Sequence, residues 1–151
     1  MEIIKYPNEV LKQKSKEVKL PLSKEDQALL DEMYSYVRNH KDKAVGLSAI
    51  QVGVPKRMCA IRLCRDGRTF NYKLVNPKIV RHSPDTVAMS EGCLSVEEEY
   101  NEPVKRWKSV LVYGFDAITG KNVTINASGF EARILQHEID HMDGILFIER
   151  I

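Results

Sequence analysis

Five residues, His137-Glu138-Ile139-Asp140-His141, restrict the fold more than any other feature of this sequence. On a helix, positions i and i+4 differ by about 40° of rotation and one turn of rise. Both imidazoles then face one point, at the spacing a metal ion needs. Glu138 lies beside the first ring and is placed to act as a general base toward an activated water. Ile134, Leu135 and Ile139 interleave apolar residues with the histidines, which predicts a buried helix. Ser128, followed three residues on by Glu131, reads as a capping box, so the helix is expected over 128–141, ending near Asp143-Gly144. The plainer alternative is a helix with two incidental histidines and a solvated glutamate. Against it, the chain has four histidines and two of them fall here. His40 and His82 sit in polar settings and read as surface residues.

The rest of the chain must wrap that helix. Pro7 and Pro21 break an irregular opening segment. Ser23 then reads as an N-cap, and Leu29, Leu30, Met33, Tyr36 and Val37 recur at helical spacing, which predicts an amphipathic helix over 24–40. Residues 44–53 are small, apolar and glycine-containing, as suits backbone that must approach something closely. Strand-like runs follow at 57–64, 70–80, 85–90, 108–116 and 121–126, divided by turn signals such as Asp66-Gly67, Ser83-Pro84 and Thr119-Gly120. No regular helices separate these strands. The expected class is α+β, with mainly antiparallel sheet packed around the helix of the histidine motif.

Bulk properties exclude several functions. At 151 residues and 43% hydrophobic the chain can bury one core. A net charge of +2 is too small to argue for DNA or an anionic membrane surface. No apolar run is long enough to cross a bilayer, and Met1 to Val10 lacks the apolar stretch of an export signal, so a cytoplasmic protein is expected. Three cysteines cannot all pair, which agrees with a reducing compartment. Cys59 and Cys64 read as packing thiols on or beside a strand.

Two histidines leave a catalytic metal site incomplete, because such sites use three protein ligands and one open position. Ten residues follow His141, and their carboxylates, Asp143 and Glu149, lie close to the helix end. The third ligand is therefore expected upstream, where Glu91-Gly92-Cys93-Leu94-Ser95 follows a strand-like run. Gly92 permits an unusual backbone angle just before the thiol. Alone, Cys93 reads as a small buried residue; beside an incomplete histidine pair it becomes the candidate ligand. Asp140 and Gln136 are both candidates to orient the imidazoles.

With these residues in view, the chain resembles the peptide deformylases. Gly46-Leu47-Ser48-Ala49-Ile50-Gln51, Glu91-Gly92-Cys93-Leu94-Ser95 and Gln136-His137-Glu138-Ile139-Asp140-His141 look like the family's three signature motifs, in the family's order. Ile3 to Leu11 and Val75-Asn76-Pro77 also resemble family segments, so the likeness covers almost the whole chain. It implies one deformylase domain over 1–151 that removes the formyl group from the N-terminal formyl-methionine of new polypeptides and releases formate. It implies Cys93, His137 and His141 as ligands of one divalent metal, with Glu138 as base and later acid. Gln51, through its side-chain amide, and Leu94, through its backbone N–H, would donate to the developing oxyanion. Iron(II) is the implied ion, and the soft thiolate leaves zinc, nickel and cobalt as reasonable substitutes. Gly46 would let an extended peptide lie along the loop as an added strand. Val45 and Ile134 would line an apolar pocket for the methionine side chain. The expected partners are formyl-Met nascent peptides and, through them, the ribosome; DNA and membranes are not expected, and a monomer is.

The likeness has departures. Ala44 stands where the first motif usually opens with glycine, and Ser48 where alanine is usual. Residues 96–103 carry three consecutive glutamates and offer no place for the family's substrate arginine. Arg106 reads equally as an exposed residue or as a brace for Glu91. Two rivals differ in class: a metallopeptidase cutting internal peptide bonds, whose third ligand would not be Cys93, and a non-catalytic peptide-binding relative, which would lack Glu138, Gln51 or a ligand.

Overall fold

The computed structural model describes residues 1–151. Strands β1 (Gly46–Ser48), β2 (Met58–Arg65), β3 (Arg68–His82), β6 (Ser109–Asp116) and β7 (Lys121–Ser128) form one sheet in the order β1-β2-β3-β6-β7. Strands β4 (Thr86–Met89) and β5 (Val104–Trp107) form a second, two-stranded sheet. Every strand pairing is antiparallel. Helices α1 (Lys24–Asn39) and α2 (Gly129–Met142) complete an α+β fold, as the run of strands without intervening helices implies.

Strand β2 shows how sequence becomes layers. Its side chains alternate between faces, yet nearly all are apolar, because both faces are covered. Met58 and Ala60 pack with Leu30, Met33 and Val37 of α1. Cys59, Ile61 and Leu63 pack with Leu135, Ile139 and Met142 of α2. The sheet is thus held between the two helices, and α2 lies buried as its interleaved apolar residues predict. Between β2 and β3, Asp66 and Gly67 both take positive φ (52° and 77°), the backbone that a tight two-residue hairpin turn requires.

The helix boundaries match the sequence expectation to within a residue, but the caps differ from each other. Ser23 Oγ accepts the Asp26 N–H at 3.1 Å, closing the N-terminus of α1. Ser128 occupies the N-cap position of α2 without any capping hydrogen bond from its side chain. Its expected partner Glu131 is drawn away by Arg65, which donates to both carboxylate oxygens at 3.0 Å. Two further local expectations are corrected, and the departure at Ala44 proves mild. Gly92 does not adopt a positive φ, and a Cβ there would meet nothing, so the cysteine loop does not depend on it. Cys64 is exposed near the β2–β3 turn rather than packed; only Cys59 is a core thiol. Ala44 is buried and free of positive φ, so alanine is unstrained in place of glycine.

Candidate active site

Helix α2 presents His137, Glu138 and His141 from inside the molecule, and the loop after β4 brings Cys93 to meet them. Cys93 Sγ lies 3.3 Å from His141 Nε2, and the two Nε2 atoms lie 3.2 Å apart. The three donor atoms all fall within 4.8 Å of one another. A thiol and two imidazoles, converging from separate elements and offering no fourth protein donor, suit a borderline-soft divalent cation with one position left open.

Glu91, which precedes the cysteine by two residues, organises the site. Its Oε1 accepts from His137 Nδ1 and Arg106 Nη2, each at 2.9 Å. Its Oε2 accepts from Arg106 Nε at 2.9 Å and Arg133 Nη1 at 2.6 Å. Burial alone would raise this carboxyl, but the hydrogen bonds and charges of Arg106 and His137 hold it well below the usual carboxylate range. Because Glu91 can only accept, His137 carries its proton on Nδ1 and turns Nε2 toward Cys93 and His141. Burial would push His137 down, yet its hydrogen bonds to Cys93 and Glu91 raise it well above the ordinary imidazole value. Burial, then the charge of His137, pushes His141 well below that value, so His141 is neutral with a free lone pair. Nε2 of both histidines and Sγ of Cys93 would hold such a cation, and because ligand atoms must be free of protons its affinity would depend on pH.

Two residues expected to orient the imidazoles do other work. Gln136 is tied to the Trp107 backbone, accepting its N–H at 3.0 Å and donating to its carbonyl at 2.9 Å. Asp140 binds Arg106 and Arg150, the latter at 2.9 Å through Nη2. Arg106 is therefore the brace of the cysteine loop, linking Glu91 to Asp140. Phe147 stacks on His137 with ring centroids 6.1 Å apart. Arg133 and Phe147 were not singled out by sequence reasoning; Arg133 carried a signal, a charge among the apolar residues of a helix expected to be buried.

On the other side, Glu138 is 4% exposed. Burial raises its carboxyl above the ordinary range, opposed by the charge of His137 and a hydrogen bond from Ser48. Gln51, in the turn after β1, accepts the Ser48 N–H on Oε1 at 3.0 Å. Its amide nitrogen must therefore face the site, donating to Ser95 Oγ at 3.0 Å and toward Cys93 Sγ at 3.6 Å. The backbone N–H of Leu94 donates to no protein acceptor. Val45, Gly46, Phe130 and Ile134 join these polar groups around a cavity of about 170 Å³. Gly46 is required by the carboxylate behind it: a Cβ there would lie 2.5 Å from Glu138 Oε2.

Three convergent donors beside a buried carboxylate, in a half-open cavity on an antiparallel α+β frame, define the class as a metal-dependent hydrolase. The profile of the polypeptide deformylase family matches residues 1–151. Among similar proteins, peptide deformylase 2 of Bacillus cereus is 35% identical, over 99% of this chain and 88% of its own length. The peptide deformylase of Staphylococcus epidermidis is 37% identical, over 99% of this chain and 89% of its own. The crystal structure of the Ehrlichia chaffeensis peptide deformylase in complex with actinonin matches with a TM-score of 0.88 at 33% identity, over 100% of this chain and 88% of that one. The chain belongs to the polypeptide deformylase family, whose members are metal-dependent hydrolases acting on the N-formyl group of peptides.

Proposed function

We propose that Cys93, His137 and His141 hold the single divalent metal with which this deformylase hydrolyses the N-formyl group of new polypeptides. The observation that carries the assignment is the convergence of these three donor atoms, within 4.8 Å, on the face of α2 that also carries Glu138. When bound, a divalent cation lowers the pKa of water and polarises a carbonyl oxygen. Every other role falls to the chain's own residues.

Glu138 takes a proton from the attacking water and returns it to the leaving nitrogen, so the carboxylate is restored in each turnover. Its raised proton affinity, from burial, suits a group that must both accept and give. Gln51 donates the amide hydrogen that now points toward Cys93, and Leu94 its unused N–H, to the formyl oxygen as charge develops there. One such donor is typically worth about 10²–10³ in rate. Strand β1 is an edge strand. Arg62 N–H donates to Val45 carbonyl, and Leu47 lies opposite Ala60 in the same register. By strand alternation the N–H and C=O of Gly46 therefore face the free edge, where an extended peptide can add as a strand. Val45 and Ile134 form the apolar wall for the methionine side chain, and Phe130 extends it.

Iron(II) is the proposed ion, with zinc, nickel or cobalt able to replace it at a mixed sulfur and nitrogen site. The deformylase domain spans 1–151, acts in the cytoplasm where formylated chains leave the ribosome, and works as a monomer, since one chain supplies every group named above. The metallopeptidase rival loses its support because Cys93 completes the site, and the non-catalytic rival because Glu138 and Gln51 are both in place. The test is a pair of variants. Glu138→Ala should keep the metal and lose turnover; Cys93→Ser should lose metal as well. Continued turnover in Glu138→Ala would overturn the role of base, and full metal retention with normal turnover in Cys93→Ser would overturn the ligand set.

A further inference from the structure

Ser48 makes three contacts that the reaction scheme above does not use. It is fully buried in β1. Its Oγ lies 3.0 Å from Glu138 Oε1 and 3.1 Å from the Glu138 backbone carbonyl. Its N–H donates to Gln51 Oε1 at 3.0 Å. One residue thus touches both the proposed base and the proposed oxyanion donor. A hydroxyl has one proton, and a carboxylate is the stronger of its two acceptors here. Oε1 is therefore engaged. Oε2 lies on the other side, against the position a Gly46 side chain would fill, and Gly46 lines the cavity.

We propose that Ser48 is a positioning residue that pins Oε1 of Glu138, so that Oε2 alone exchanges protons with the reacting groups. The proposal rests on the reading of Glu138 as the base. The terminal torsion of a glutamate is soft and roughly two-fold, so an untethered carboxylate swings and exchanges its oxygens. The Ser48 bond removes that freedom in both halves of the cycle. Before transfer, Oγ–H donates to Oε1 of the carboxylate. Once Oε2 has taken the proton of the attacking water, the same hydroxyl still donates to Oε1, now a carbonyl oxygen. The proton then leaves Oε2 for the nitrogen as the C–N bond breaks, and the hydroxyl has not moved. Gly46 and Ser48 act together: one makes room for Oε2 and the other fixes Oε1.

The test compares Ser48→Ala and Ser48→Thr with the parent holoenzyme on a formyl-Met peptide. Ser48→Ala should lower kcat about tenfold, the loss expected for a hydrogen bond to a charged group, with KM unchanged. Its metal content should equal the parent's, its melting temperature should fall by no more than about 5 °C, and its crystal structure should show the Glu138 carboxylate rotated or in two orientations. Ser48→Thr, which restores the hydroxyl, should recover most of the lost kcat. A kcat loss under about threefold in Ser48→Ala overturns the proposal, since a tether to a charged group is worth more. A loss matched by lost metal, or a threonine variant of parental melting temperature no better than alanine, overturns it equally. Failure of the base assignment itself would appear separately, as turnover persisting in Glu138→Ala.

Discussion

Glu91→Gln is the substitution with the largest calculable consequence outside the metal ligands. Shape is preserved and only charge and one hydrogen-bonding sense change. Both carboxylate oxygens face donors and nothing else: His137 Nδ1 and Arg106 Nη2 at Oε1, Arg106 Nε and Arg133 Nη1 at Oε2. Whichever way a glutamine amide turns, its NH₂ meets two donors and bonds to neither. The side chain is 5% exposed, so water cannot make up the loss. Removing one member of a buried charge network costs about 3–5 kcal/mol. For a chain of 151 residues that corresponds to a fall in melting temperature of roughly 10 °C. Losing the acceptor for His137 Nδ1 also frees that ring to change tautomer, which should weaken metal affinity about 10–100-fold. Urea unfolding of the metal-free protein reads the first effect, and competition against a chelator reads the second. A stability change below about 1 kcal/mol, the size of an ordinary surface substitution, together with unaltered metal affinity, would refute the account of Glu91 as organiser of the site.

Acid should act through the same residue. Its folded-state proton affinity is depressed, so its contribution is present above the unfolded value of about 4.3 and is lost as pH falls toward the folded value. Unfolding free energy of the metal-free parent should therefore decline below that pH, and the decline should be shallower in Glu91→Gln. Gly46→Ala places a Cβ 2.5 Å from Glu138 Oε2 and should lower kcat by about 10²-fold with the metal retained; an unchanged rate would contradict the close approach. A thiolate beside a redox-active ion is open to oxidation, so the iron(II) form should lose activity in air faster than the nickel form, and equal lifetimes would count against that reasoning.

The most legible parts of this chain are those whose geometry is local. The spacing of His137 and His141 is fixed by helical rotation, and the alternation of β2 by strand pleating. The turn at Asp66-Gly67 is fixed by the backbone angles those residues accept. Cys93 was reachable by arithmetic, since two histidines leave a site incomplete and little chain follows them. What stayed hidden depends on which distant groups meet. Ser128 and Glu131 have the pattern of a capping box, but Arg65, 66 residues away in sequence from Glu131, takes the carboxylate. Asp140 and Gln136 stand beside the histidines in sequence, yet α2 turns them toward β5 and its neighbours. Strand β5 (Val104–Trp107) is not among the strand-like runs read from the sequence, although its Arg106 is what joins Glu91 to Asp140. Ser48 looked like a mild steric change from alanine, and only the packing of β1 on α2 shows that its hydroxyl reaches the carboxylate of Glu138.

The most direct measurement is formate released from a formyl-Met peptide, followed alongside the metal content of the same sample. The account predicts one formate for each free methionine amine, turnover proportional to metal up to one ion per chain, and loss of turnover when that ion is removed. Formate release that does not depend on metal, or cleavage of internal peptide bonds in place of formate release, would contradict it.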